Sequence, residues 1–194
     1  MDVLKGTDLV DVPWKNGGGI TRKIARGSSA DRVVWTLSRA DVANEGPFSN
    51  FEGLQRILTV VSGSGMDLVH ADGALTAAPC LPVAFDGDLP VASRLHDGPL
   101  TDLNLMFDPT VCTGCVTPHH GADDPVLTPP KTGLMAIHVV AGHPEIGDRP
   151  YAIADTVFVT DRVSLRLAKG DAVLEIALDY GDQSADITLA IAPL

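Results

Sequence analysis

The near-absence of long helical periodicity constrains this chain more than any other feature. Its apolar residues fall in short runs: Val33–Leu37, Ile57–Val61, Ala136–Val140, Thr156–Val159, Val163–Leu167 and Ala172–Leu178. Turn-forming sequences lie between them, such as Ser62-Gly-Ser-Gly65, Asp72-Gly73, Asp86-Gly87, Asp97-Gly98 and Lys169-Gly-Asp171. Many short strands at this cadence build a sandwich or a barrel. The segment around Asp41–Gly53 is the exception and reads as an irregular loop or a short helical turn.

The strand pattern also repeats. Thr59-Val-Val-Ser-Gly63 resembles His138-Val-Val-Ala-Gly142, and Asp102-Leu-Asn-Leu-Met106 resembles Asp186-Ile-Thr-Leu-Ala190. Between the copies, 108–132 is rich in Pro, Gly and His and reads as a surface connector. The expectation is an all-β chain with two β-barrel halves, 1–107 and 133–194, the second shorter.

Charge and composition narrow the partners. At 45% apolar residues the chain can bury a core, yet no apolar run approaches the roughly 18 residues of a membrane span. The opening residues carry acids and no apolar signal core, and three cysteines suit a reducing compartment, so a cytoplasmic location is expected. A net charge of −11 repels nucleic acid and anionic membranes at long range, and neither is expected as a partner. A small anionic ligand would need local cations or backbone donors. A homodimer is left open.

Several constellations could carry chemistry. Trp14-Lys-Asn-Gly-Gly-Gly-Ile-Thr21 leads into an alternating, strand-like run. Three glycines suggest a close approach of backbone to something else, or a hairpin loop. A phosphate loop is excluded, because the Gly-Lys-Ser/Thr ending and the strand–loop–helix context are missing. Cys112-Thr-Gly-Cys115 with His119 and His120 is the obvious metal candidate. It has no second Cys pair and lies in the expected connector, so no metal and no cofactor are expected. His70, His96, His138 and His143 form no His-x-His set for a facial metal site. No Gly-x-Ser-x-Gly elbow is present.

Strand alternation locates a subtler site. Val34, Thr36, Ser38 and Ala40 share one face of their strand, a small and partly polar set that suits a lumen with room for a ligand. Asp102, Asn104 and Met106 share a face of another strand, where Asn104 could offer its amide. Arg56 opens a strong strand and could hold a carboxylate through two parallel hydrogen bonds.

Trp14–Thr21, Trp35-Thr-Leu-Ser-Arg-Ala40, Gly46-Pro-Phe-Ser-Asn-Phe51, Arg56-Ile-Leu-Thr59, Gly63-Ser-Gly65 and Asp97-Gly-Pro-Leu-Thr-Asp-Leu-Asn-Leu-Met106 together resemble the HutD/Ves family of cupin-like proteins. The likeness follows the family's order over 12–106; beyond that it is mainly one of length and strand pattern. The resemblance implies a bicupin-like fold of two stacked jelly-roll halves. It also implies a link to bacterial histidine utilisation and the lack of a cupin metal triad. On that footing the leading expectation is a metal-independent protein that binds an anionic intermediate of histidine breakdown, of the urocanate or formyl/formimino-glutamate type, and modulates flux. Asn16, Thr21 and the amides of Gly17 and Gly18 would supply neutral hydrogen bonds. Arg56 would neutralise a carboxylate, and Trp14 or Trp35 could stack on a planar ligand. The alternatives are an isomerase or hydrolase using Asp102 or His96, and a regulator that docks on another protein.

Overall fold

Alternating residues punctuated by turns become strands along most of the chain. The computed structural model describes residues 1–15, 17–30, 32–181 and 186–192. Among these the chain forms twenty strands, one short 3-10 turn at Gly6–Asp8, and no α-helix. Among the described residues no helix is long and apolar enough to cross a membrane. Two compact units divide it: Val10–Val111 with Asp186–Leu194, and Met1–Leu9 with Cys112–Ala185.

The first unit holds a sheet in the order β2 (Val12–Pro13), β3 (Gly19–Ser29), β4 (Arg32–Val42), β11 (Leu100–Phe107), β6 (Gln55–Ser62) and β9 (Val83–Asp86), with β20 (Ile187–Ile191) also on β3. A second sheet runs β5 (Gly46–Pro47), β10 (Ala92–Leu95), β7 (Met66–His70) and β8 (Gly73–Ala77). Leu58, Val60, Met66, Leu68, Phe85 and their neighbours form the unit's apolar core. Trp35 is packed away at 1% exposure, and a Cβ on Gly27 would lie 1.9 Å from its indole nitrogen. Only glycine fits there opposite the ring.

The other unit holds β1 (Asp2–Leu4), β17 (Thr156–Val159), β14 (Gly133–Ala141), β19 (Ala172–Asp179) and β12 (Thr113–His120) in one sheet. Its second sheet runs β13 (Val126–Leu127), β18 (Val163–Arg166), β15 (Glu145–Ile146) and β16 (Arg149–Pro150). Met135, Ile137, Val139, Ile146, Val157 and Leu165 are among the side chains that fill its interior.

The two sets of sheets follow one plan. Adding eight to each strand number turns the orders β4-β11-β6-β9 and β5-β10-β7-β8 into β12-β19-β14-β17 and β13-β18-β15-β16. The Val-Val-x-Gly match belongs to this repeat, since β6 and β14 occupy equivalent places and end at Gly63 and Gly142, both at positive φ. The second match does not. Asp102–Met106 lies in β11, whose counterpart is β19, whereas β20 pairs with β3. Five alternating residues specify a strand but not which strand.

Two further sequence readings change, and a third is resolved in favour of its irregular-loop alternative. The sheets are open ladders rather than one ladder closed into a barrel. Within the stretch read as a connector, Thr113–His120 pair along their whole length with β19. Pro118 is accommodated because β12 is the outer strand of its sheet. The segment after Asp41 contains β5 and an irregular run through Phe51, with no helical turn.

Candidate functional site

The first unit carries an open cavity of about 680 Å³. Its floor follows from register. Thr21 pairs with Ala40, Ala40 with Asp102, Lys23 with Ser38, Ser38 with Asn104, and Thr36 with Met106, which in turn faces Arg56. Period-two alternation puts all of these on one face of the sheet. Thr36, Ser38 and Ala40 on β4 leave room where larger side chains would fill it. Phe48, Ser49 and Phe51, from the irregular run after β5, wall the opposite side.

Arg56 is the centre of this arrangement. It is 3% exposed. Its guanidinium lies 5.5, 5.3 and 4.9 Å from the ring centroids of Phe48, Phe51 and Phe85. Nη2 donates to Asn104 Oδ1 at 3.1 Å and Nη1 to the Ser49 carbonyl at 3.5 Å, while Nε has no partner. Burial lowers its pKa to about 10, against the favourable charge of Asp102, so it stays cationic at neutral pH.

Asn104 Nδ2 in turn donates to Asp102 Oδ1. Asp102 is fully buried, and its Oδ2 has no hydrogen-bond partner. Burial pushes its carboxyl up to about 7, with Arg56 pulling down and Asp41 adding to the rise. The Arg56–Asn104–Asp102 chain is therefore a hydrogen-bonded polar strip in the pocket lining.

Trp14 stands at the pocket edge. Its indole N–H donates to Thr21 Oγ1 at 2.7 Å, and its ring meets Phe48 edge-on at 6.3 Å. The glycine run closes the β2–β3 hairpin, with Trp14 N donating to Gly19 O at 2.9 Å. A Cβ on Gly19 would sit 2.2 Å from the Asp41 carbonyl. The third glycine thus permits close strand packing rather than a ligand cradle.

Of the residues singled out from sequence, the structure brings Trp14, Thr21, Ser38, Arg56 and Asn104 to one cavity. Gly17 is exposed and donates its N–H to Trp14 O; the Gly18 carbonyl accepts from Ala43 N; neither lines the cavity. Asn16 lies outside the described residues. Trp35 is buried elsewhere, and His96 pairs with Asp67 at 3.1 Å away from the pocket. Arg22 is held outside the pocket by Asp11 and Asp41.

Sequence reasoning passed over Lys15, Lys23 and Arg26, which also line the cavity. Lys23 was findable, since it alternates with Thr21. Arg26 was not, because a bulge between Lys23 and Ala25 shifts the face on which it lies. With Arg56 these make four cations lining the cavity, against a chain of net charge −11.

The Cys/His group is spread out along β12 and the residue ahead of it. Cys112 is buried ahead of the strand, where burial raises its thiol to about 11. Cys115 is exposed, and His119 Nε2 meets Glu175 Oε2 at 2.8 Å. Among the described residues no group of three or more His, Cys, Asp or Glu is placed to hold a metal ion.

Several known proteins are similar to this chain in sequence or fold. The family model described as HutD matches residues 6–176. A Pseudomonas putida protein, named as an uncharacterized 21.2 kDa protein in the hutC 3′ region, is 42% identical over 114 residues, which are 56% of this chain and 59% of that one. Protein Ves of Escherichia fergusonii is 32% identical over 70% of this chain and 71% of its own. The structure of HutD from Pseudomonas fluorescens SBW25 superposes with a TM-score of 0.77 at 30% identity, covering 91% of this chain and 98% of that one. Bacillus subtilis oxalate decarboxylase, at 8% identity and a TM-score of 0.61 over 98% of this chain and 79% of that one, shares the cupin-like fold alone.

Proposed function

The chain belongs to the HutD family, and from that premise we propose that its first unit binds a small anionic metabolite of histidine breakdown and thereby modulates histidine utilisation. The ligand class is urocanate or a formyl- or formimino-glutamate. The two units are read as two cupin-like halves of a bicupin, a reading supported by their shared strand order. The protein is read as cytoplasmic and as working without a metal.

One observation carries the reading. A cation 3% exposed, with one N–H unpartnered, lines a cavity large enough for a small metabolite. A bare buried Arg is costly, and a carboxylate ligand offsets that cost with directional hydrogen bonds. Lys15, Lys23 and Arg26 add further positive charge to the pocket lining, against a chain of net charge −11. The hutC-linked name of the Pseudomonas putida relative agrees with the pathway.

Asp102 favours a second reading. A buried carboxyl with a pKa near 7 is suited to general acid–base work on the same metabolites, as an isomerase or hydrolase would need. One experiment separates the two. Purified protein is melted with urocanate, N-formyl-L-glutamate and N-formimino-L-glutamate, and each mixture is then assayed for product. A raised melting temperature without product supports binding; product supports catalysis. No shift with any of the three at millimolar concentration removes the metabolite reading.

A further inference from the structure

Arg56 and Asp102 both line the cavity, and each has one buried polar atom without a protein partner: Arg56 Nε, a donor, and Asp102 Oδ2. They belong to side chains already linked through Asn104, whose carbonyl accepts from Arg56 and whose amide N–H donates to Asp102 Oδ1. A bound carboxylate can satisfy Arg56 Nε. An ionised Asp102 offers such a ligand only an acceptor and a second negative charge. A protonated Asp102 offers an O–H donor and no charge.

We propose that Asp102 is a ligand-contacting residue and that the cavity takes up a carboxylate together with one proton, which Asp102 holds on Oδ2 and donates to the bound anion. This rests on reading the cavity as an anion site. It adds a second recognition group and makes the site neutral-acid selective: Arg56 and Asp102 together receive an anion and a proton with no net charge buried. The proton comes from solvent, and no covalent bond is made or broken.

The surroundings of Asp102 are consistent with a carboxyl that changes state near neutrality. From β6, Arg56 favours the ionised form; from β4, Asp41 disfavours it. Lys23 and Arg26 on β3 and Lys15 in the β2–β3 loop line the same cavity. Among the described residues that line it, Asp102 is the one acid. An anion beside Arg56 cancels the charge that holds Asp102 down, so binding draws its proton on more tightly.

Calorimetry with N-formyl-L-glutamate as the probe tests this on the full chain. Titrations are run at pH 6, 7 and 8, each in two buffers of different ionisation enthalpy, so that proton exchange is counted directly. The probe's carboxyls are ionised throughout, so any uptake belongs to the protein. With Asp102 near 7 in the free site, uptake of about 0.9 proton is expected at pH 8 and about 0.1 at pH 6, and affinity falls about tenfold between them. In Asp102→Asn the uptake disappears and affinity is flat with pH. The two-buffer count on the parent protein stands whether or not that variant folds. Binding without proton uptake overturns the proton-coupled role while leaving the anion site intact. Uptake that persists in a folded Asp102→Asn overturns the assignment to Asp102. No binding at any pH overturns both this proposal and the anion-site reading beneath it.

Discussion

At the residue scale, Arg56 and Asp102 pose opposite problems of burial. Arg56 keeps its charge and offsets burial with Asn104, the Ser49 carbonyl and three aromatic rings. Arg56→Ala should weaken binding of a carboxylate by about 2–5 kcal/mol, and Arg56→Lys should recover only part, because the planar fork is lost. Calorimetry on both variants checks this, with circular dichroism to confirm that each remains folded. Asp102 makes stability depend on pH in an uncommon direction. Its folded pKa of about 7 lies above the ordinary 3.8. The folded chain therefore holds a proton that the unfolded chain has released, and stability from this group is full below about pH 4 and lost as pH rises through 7. The whole effect is at most about 4 kcal/mol. Asp102→Asn should raise the melting temperature relative to the parent at pH 8, with the gain vanishing toward pH 4. These residues were legible to different degrees. Ser38 and Asn104 were singled out because alternation fixes which side chains share a face, and Arg56 because it opens a strong strand. The strength of Asp102 was not, since it depends on burial and on a partner 46 positions away.

At the scale of the element, the glycine run of the β2–β3 hairpin divides into positions with different duties. Gly17 has φ of +72° and open space around it, so Gly17→Ala should cost only about 1 kcal/mol, the strain of a left-handed backbone. Gly19 is pressed against the Asp41 carbonyl and the Trp14 ring. Gly19→Ala should cost more, about 1–3 kcal/mol, and disturb the Thr21–Ala40 register beneath the cavity. Urea midpoints of the two variants, compared with the parent, test the order. Sequence marked this run as unusual but could not say which glycine was pressed, because the pressing atom belongs to β4. The same limit hid the cavity role of Arg26, which depends on a bulge, and the strand nature of Thr113–His120, which depends on pairing with β19.

For the whole molecule, charge is distributed against the site. The chain carries −11, yet four of its cations line one cavity. At about 10 mM salt the Debye length is roughly 30 Å and an approaching anion meets the net charge; at about 150 mM it is roughly 8 Å and the pocket's own cations dominate. Association of an anionic ligand should therefore quicken as salt rises over this range, the reverse of the usual steered encounter. Stopped-flow rates at the two salt concentrations decide it. The fold was legible in outline, since turn cadence gives strands and the Val-Val-x-Gly pair gives the repeat. Membership of the outer strands was not, because edge pairing leaves no local mark. That pairing has a consequence for how the protein is made. β20 completes the sheet at β3, yet it leaves the ribosome roughly 160 residues after it. β1 likewise emerges roughly 150 residues before its partner β17. A nascent chain that stops short of β20 leaves part of β3 as a bare edge beneath the cavity, so the pocket reaches its finished form only after translation has passed β20.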